Sequence, residues 1–238
     1  MQRYFSETKE ENYLILNEDN LHHIKNVMRN KPGNKIEVVY HEKLYICEIE
    51  DLNNRKVRII SEELEEHELN TDITIAIALV KEQKMDIILQ KLTELGINRI
   101  IPLEMERSIV KLDNKRFIRK KERWETICKE AAEQSKRNKI PVIDNIKSIK
   151  ELVKEEFDIK IICSTTEKNV TIKKYLNTNL KNKKILFVIG PEGGISNKEE
   201  EFLKKSGMSS ISLGSRIMRV ETAAIYIASI INYCSLEW

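Results

Sequence analysis

Two rhythms of apolar residues divide the chain. Between residues 35 and 61, the runs KIEVVY, LYICEIE and KVRIIS mix apolar and polar positions and are separated by the turn-like HEK and LNNR. Short strands joined by tight turns predict a small antiparallel barrel or sheet. A short helix is expected over 19–29, before KPGN breaks the pattern. The acidic SEELEEHE (61–68) has no apolar periodicity and reads as a linker, which gives domains 1–69 and 70–238. From residue 73 the rhythm changes. TIAIALV is a continuous apolar run, as expected of a strand covered on both faces. In EQKMDIILQKLTELG, Met85, Ile88, Leu89, Leu92 and Leu95 recur at helical spacing, and Gly96 supplies a left-handed stop. NRIIPL, IKIIC (159–163) and KILFVIG (184–190) read as further strands, with a basic helical segment over 115–138. Strands alternating with helices predict an α/β domain with a mainly parallel sheet.

The chain has seven glycines, and five of them (Gly190, Gly193, Gly194, Gly207, Gly214) fall in one stretch. The strand ILFVI ends at Gly190 and opens into GPEGG, where a ligand is expected in an open α/β sheet. Ser196 and Glu199 form an S-x-x-E capping box that starts a helix with NKEEEFLKK as its body. The loop fits neither G-x-x-x-x-G-K-[ST] nor G-x-G-x-x-G, and Glu192 within it disfavours a phosphate. A second glycine turn follows a short strand at 211–213, in LGSRIMRVETAA. From residue 220 the chain is apolar almost all round, so burial in the domain or across a dimer interface is expected. Arg216, Arg219 and Glu221 stand just before it; an internal Arg–Glu pair satisfies two of these charges and leaves one cation over.

Charge adds an asymmetry that the net value of +3 conceals. Residues 1–70 carry 10 basic and 15 acidic side chains, whereas 107–139 carries 12 and 5. Residues 20–36 hold Lys25, Arg29, Lys31 and Lys35 with no acid. Either a phosphate-rich partner or an ordinary solvated helix face accounts for such patches. Cys47, Cys128, Cys163 and Cys234 form no C-x-x-C pair and have apolar neighbours, so buried, reduced thiols are expected. The four histidines lack ligand spacing, and no metal site is expected. No apolar run approaches the roughly 20 residues of a membrane span, and MQRYFSETKEEN does not read as a signal peptide. The expectation is a cytoplasmic protein without membrane contact.

Five stretches in order, KMDIILQKLTELG, RIIPLEMERSIVK, RWETICKEAAEQSKRNKIP, IGPEGGIS and LGSRIMRVETAA, resemble the RsmE family of 16S ribosomal RNA uridine-N3 methyltransferases, of the SPOUT superfamily. The resemblance extends to MQRYF and HHIKNVMRNKPGN at the front, which look like the family's PUA-like RNA-binding barrel. It departs from the family pattern at Lys136, where glycine is usual. It implies a C-terminal α/β domain with a trefoil knot, a homodimer, and S-adenosylmethionine as cofactor. The cofactor pocket would be lined by Ile189, Gly190, Pro191, Glu192, Gly193 and Gly194 in the first turn. Leu213, Gly214, Ile217, Met218 and Thr222 would line it from the second, with Thr165 and Glu167 at its border.

The implied chemistry sets its own demands. The ring nitrogen of uracil lies on the base-pairing edge, so the base must be unpaired before a methyl can reach it. That nitrogen also loses a proton, and a cation beside the ring carbonyls favours the anion. Arg219 is the first candidate for that cation, then Arg137 and Arg107. Glu221 or Glu133 is the candidate proton acceptor, or the anchor of an arginine. Arg3, Arg29, Lys31, Arg107 and Arg137 are expected to meet phosphates of 16S ribosomal RNA or the small ribosomal subunit. Two alternatives stay open here: an RNA-binding assembly factor without activity, and a SPOUT methyltransferase acting on another RNA.

Overall fold

A computed structural model describes residues 1–65, 67–176 and 180–235. Glu66 of the predicted linker and the last three residues of the predicted second domain lie outside the described residues. The chain forms two units, Met1–Glu68 with Lys129–Lys139, and Leu69–Cys128 with Ile140–Trp238. The recruitment of Lys129–Lys139 into the first unit is the main difference from the expected division.

The first unit holds β1 (Arg3–Phe5), β2 (Thr8–Glu10), β3 (Tyr13–Ile15), β4 (Lys35–Tyr40), β5 (Lys43–Ile49) and β6 (Lys56–Glu63). Their order is β1-β4-β5-β6-β3-β2, antiparallel except for the β1–β4 pair. Only Ser6 and Glu7 join the two edge strands. A link of that length spans about 11 Å at most, whereas the edges of a flat six-stranded sheet stand about 24 Å apart. The sheet therefore curls back on itself around Tyr4, Leu14, Ile36, Val38, Cys47 and Val57. Helix α1 (Glu18–His22), capped by the Asn17 side chain, runs into a π-helical turn at His23–Val27. Strand β6 extends to Glu63, three residues into the expected linker, where the ladder continues opposite β5 and Glu62 meets Lys43.

In the second unit the elements are β7 (Asp72–Ala78), α2 (Glu82–Glu94), β8 (Arg99–Glu104), α3 (Asn114–Gln134, as far as Cys128), β9 (Val142–Ile143), β10 (Lys147–Ser148) and α4 (Ile149–Leu152). Then follow β11 (Ile159–Cys163), α5 (Lys173–Leu176), β12 (Lys184–Ile189), α6 (Asn197–Lys205), β13 (Ser209–Ile211) and α7 (Val220–Ser235). The sheet order is β10-β8-β7-β12-β11-β13, with β9 also on β8, and every pairing is parallel. The continuous apolar runs are explained by burial on both faces. Ile73, Ile75 and Ile77 of β7 and Ile185, Phe187 and Ile189 of β12 face one core with α2, α3 and α7. The alternate residues Ala76, Ala78, Leu186 and Val188 face a second core with α4 and α6.

One expectation is met in part and one needs correction. Helix α7 buries Val220, Ala223, Ala224, Ile227, Ala228 and Ile231, but Tyr226 and Tyr233 are exposed, so its apolar character exceeds what this chain covers. Cys234, on the same helix, is exposed, while Cys47, Cys128 and Cys163 are buried.

Candidate active site

Strands β11, β12 and β13 end level with one another, Cys163 opposite both Ile189 and Ile211. Being parallel, they release three loops at the same edge. Together these loops enclose a cavity of about 590 Å³, within the range of small-molecule sites.

The first wall is the glycine turn after β12. The Gly194 N–H donates to the Pro191 carbonyl at 2.8 Å, which closes the turn. Gly194 has φ +72°, a left-handed conformation that costs any side chain. At Gly190 a Cβ would stand 2.6 Å from Ile195 Cγ1, so glycine is required by close approach. Ser196 and Glu199 then form the expected capping box of α6.

The second wall comes from 212–218. The Gly214 N–H donates to Ser212 Oγ at 3.2 Å, and Leu213, Gly214, Ile217 and Met218 line the cavity. The third is the segment after β11. The Glu167 carboxylate accepts the backbone N–H groups of Lys168, Asn169 and Val170, and those of Asn169 and Val170 lead in holding it below the usual carboxylate range.

A buried carboxylate fastens two of these walls together. Glu200 accepts from Ser164 Oγ at 3.0 Å and from Ser210 Oγ at 2.9 Å, and pairs with Lys204 at 2.8 Å. Burial alone would raise its pKa, but the Lys204, Ser164 and Ser210 contacts outweigh that and lower it. Sequence reasoning missed Glu200, because Ser164 and Ser210 are remote from it in sequence or on another element.

Of the residues expected at the cofactor, Thr165, Ile189, Gly190, Pro191, Gly194, Leu213, Gly214, Ile217 and Met218 line the cavity. Three do not. Glu192 turns to Lys84 Nζ at 2.9 Å, and burial, which would raise its pKa, is outweighed by that contact. Gly193 lies against Arg107, whose Nη1 donates to the Gly193 carbonyl at 3.0 Å. Thr222 is exposed, since the helical repeat turns Val220 and Ala223 inward instead. Ser164, Lys168, Thr171, Ser212, Ser215 and Arg216 also line the cavity and were not expected there.

The expected catalytic and RNA-facing residues separate in the same way. Arg219 is exposed, and its carbonyl accepts from the Ala223 N–H as α7 begins. Glu221 is half-buried; its Oε2 has no hydrogen-bond partner and lies 3.8 Å from Lys84 Nζ, so the carboxylate meets a lysine and not the expected arginine. Arg29, Lys31 and Arg107 are exposed. Arg137 and Arg3 are corrections. Arg137 is buried against Glu68 at 2.6 Å, and the same carboxylate takes the backbone N–H groups of Asn138 and Lys139. Arg3 is wholly buried, bound to Glu37 at 2.8 Å, Asn138 Oδ1 at 2.8 Å and the Lys136 carbonyl. Neither guanidinium is open to a phosphate. Glu133 also belongs to the first unit, where partial burial pushes its carboxyl up to about 7.

The RNA methyltransferase domain family matches residues 67–232, and the RNA methyltransferase PUA domain family matches 16–60. The chain belongs to this RNA methyltransferase family. It is 37% identical to the ribosomal RNA small subunit methyltransferase E of Bacillus subtilis, over 98% of this chain and 96% of that protein. It is 35% identical to the protein of the same name from Mesomycoplasma hyopneumoniae, over 95% and 97%. The crystal structure of ribosomal RNA small subunit methyltransferase E from Neisseria gonorrhoeae, bound to S-adenosyl methionine, superposes with a TM-score of 0.86 at 25% identity, covering 98% of this chain and 97% of that one.

Within this family the cavity can be tested as a cofactor site. Its wall combines the apolar Ile189, Leu213, Met218 and Val220 with bare main chain at Gly190, Gly194 and Gly214, which suits an uncharged purine. The Glu167 carboxylate suits a sulfonium, since the charge of Glu200 is already met by Lys204, and Lys168 and Arg216 would meet a carboxylate. Among the described residues, no three His, Cys, Asp or Glu side chains group as a metal site would require. No described helix is long and apolar enough to cross a membrane.

Proposed function

We propose that this protein is an S-adenosylmethionine-dependent methyltransferase that modifies uracil at ring N3 in 16S ribosomal RNA of the small subunit. The observation that carries the reading is the cavity at the ends of β11, β12 and β13, walled by two glycine turns and open main chain. S-adenosylmethionine supplies a methyl group made electrophilic by its sulfonium. The residues of both turns would hold the adenosine by main-chain hydrogen bonds and apolar contact, in the trefoil arrangement that the family resemblance implies. Uracil N3 would lose its proton and take the methyl as that group's bond to sulfur breaks, leaving the sulfur as an uncharged thioether, with Arg219 stabilising the ring anion from the cavity rim. Glu221 is the proton acceptor in this reading: it follows Arg219 by two residues at the start of α7, whereas Glu133 belongs to the first unit. Arg29, Lys31 and Arg107 contact phosphates, joined by the exposed Lys115 and Arg119 of α3.

The active form is a homodimer acting in the cytoplasm, where ribosomal RNA is found. Exposed Ile217, Tyr226 and Tyr233 give each copy an uncovered apolar surface around α7. The test is mass spectrometry of 16S ribosomal RNA from cells with and without the gene. Loss of 3-methyluridine at one position supports the reading. Unchanged 3-methyluridine with loss of a different methylated nucleotide favours another RNA target, and no change at all favours an assembly factor.

A further inference from the structure

The two glycine turns carry one acidic side chain each that does not face the cavity: Glu192 in the first, and Glu221 directly after the second. One lysine reaches both. Lys84, in the first turn of α2, places Nζ 2.9 Å from Glu192 Oε1 and 3.8 Å from Glu221 Oε2. The Glu221 oxygen is buried and has no hydrogen-bond partner, so Lys84 is its compensating charge. All three side chains are partly open to solvent, at 28, 29 and 17%. Ion pairs so exposed contribute little to folding. What this one does is geometric: α2 packs on the sheet through Met85, Ile88 and Leu89, and so offers a fixed point outside both turns.

We infer that Lys84 is a positioning residue that latches the GPEGG turn to the start of α7 and thereby sets the width of the cofactor cavity. This rests on the reading of the cavity as an S-adenosylmethionine site. Without the latch, Glu192 and Glu221 repel each other across the rim, and the turn that carries Gly190 and Gly194 loses its outer anchor. Arg219 also lies within electrostatic range of Lys84. Removal of the lysine therefore leaves Glu221 free to draw Arg219 away from the substrate.

The test is calorimetric titration of the intact protein with S-adenosylmethionine, for wild type, Lys84→Met, Lys84→Arg, Glu192→Gln and the Lys84→Met/Glu192→Gln double variant, with Tm measured on each. Lys84→Met is expected to bind roughly tenfold more weakly, a change of about 1.4 kcal/mol, with Tm nearly unchanged. Lys84→Arg keeps a cation in place and should recover most of the affinity. The double variant should bind no more weakly than Lys84→Met, because both changes break the same contact. A wild-type protein that binds and a Lys84→Met variant with equal affinity would overturn the latch while leaving the cofactor site intact. An arginine variant no better than methionine, or affinities that follow Tm, would overturn it as well. A wild-type protein that does not bind would overturn both the latch and the cofactor reading.

Discussion

Two pairs of arginines, one pair in each unit, have opposite fates. In the first unit, Arg3 and Arg137 are buried, and each is matched to a carboxylate, Glu37 and Glu68. At the cavity rim of the second, Arg216 and Arg219 are exposed, and the nearby carboxylates Glu192 and Glu221 are engaged by Lys84. Basicity along a sequence therefore does not identify a nucleic-acid surface. A guanidinium is available to a ligand only where the fold has already assigned the local carboxylates to another cation. Arg3 and Arg137 hold their unit together, whereas Arg216 and Arg219 are left for chemistry.

The largest effect that this comparison predicts is on folding. Arg137→Ala leaves Glu68 buried without its cation, which should cost about 3–5 kcal/mol. Urea denaturation monitored by circular dichroism measures it, and a loss below about 1 kcal/mol would place Arg137 among the dispensable surface charges. Next comes Arg219→Ala. It should slow methyl transfer by about 100-fold to 1,000-fold, with the Kd for S-adenosylmethionine and the Tm unchanged. An unaltered single-turnover rate would end its assignment.

Glu133 sharpens the comparison, as a buried carboxyl whose nearest cation, Lys129, stands off at 3.8 Å. Burial raises it from the usual 4.5 to about 7, although Lys129 acts in the other direction. Below 4.5 both folded and unfolded states hold the proton. Between 4.5 and 7 the unfolded state ionises first, so stability falls as pH rises, by at most about 3 kcal/mol. Above 7 both states are ionised and the loss is constant. Glu133→Gln should flatten this slope in denaturation curves taken from pH 4.5 to 7.5, and an unchanged slope would assign it to another group. The smallest effect is at Gly194, where Gly194→Ala forces a side chain into φ +72° with Thr165 Oγ1 3.6 Å from its Cβ. About 1 kcal/mol of strain is expected, read as a Tm lower by about 2–4 °C.

The sequence carried the α/β order of the second unit because each strand and helix there has its own local signature. The run ILFVI, the glycine turn and the Ser196–Glu199 capping box lie within a few residues of one another and define β12, the cavity wall and α6 in turn. By contrast, β1, β2 and β3 are three residues each, too short for any period to show. The errors at Arg3 and Arg137 have a different origin. Their partners are 34 and 69 residues away, and only tertiary structure brings them together. Lys84 and Glu200 were missed for the same reason, since each acts on loops that follow other strands. Lys136 shows a departure with a physical meaning. It occupies φ +62°, a conformation glycine takes without strain, and its ammonium reaches Glu37 at 2.9 Å. The backbone cost is thus set against a charge contact that glycine lacks.

A crystal structure of the protein grown with S-adenosylmethionine decides whether the two glycine turns form the cofactor site. Adenosine is expected between residues 189–195 and 212–218, held by main-chain groups of the two turns. Adenosine bound outside these two segments, with the cavity empty, would contradict it.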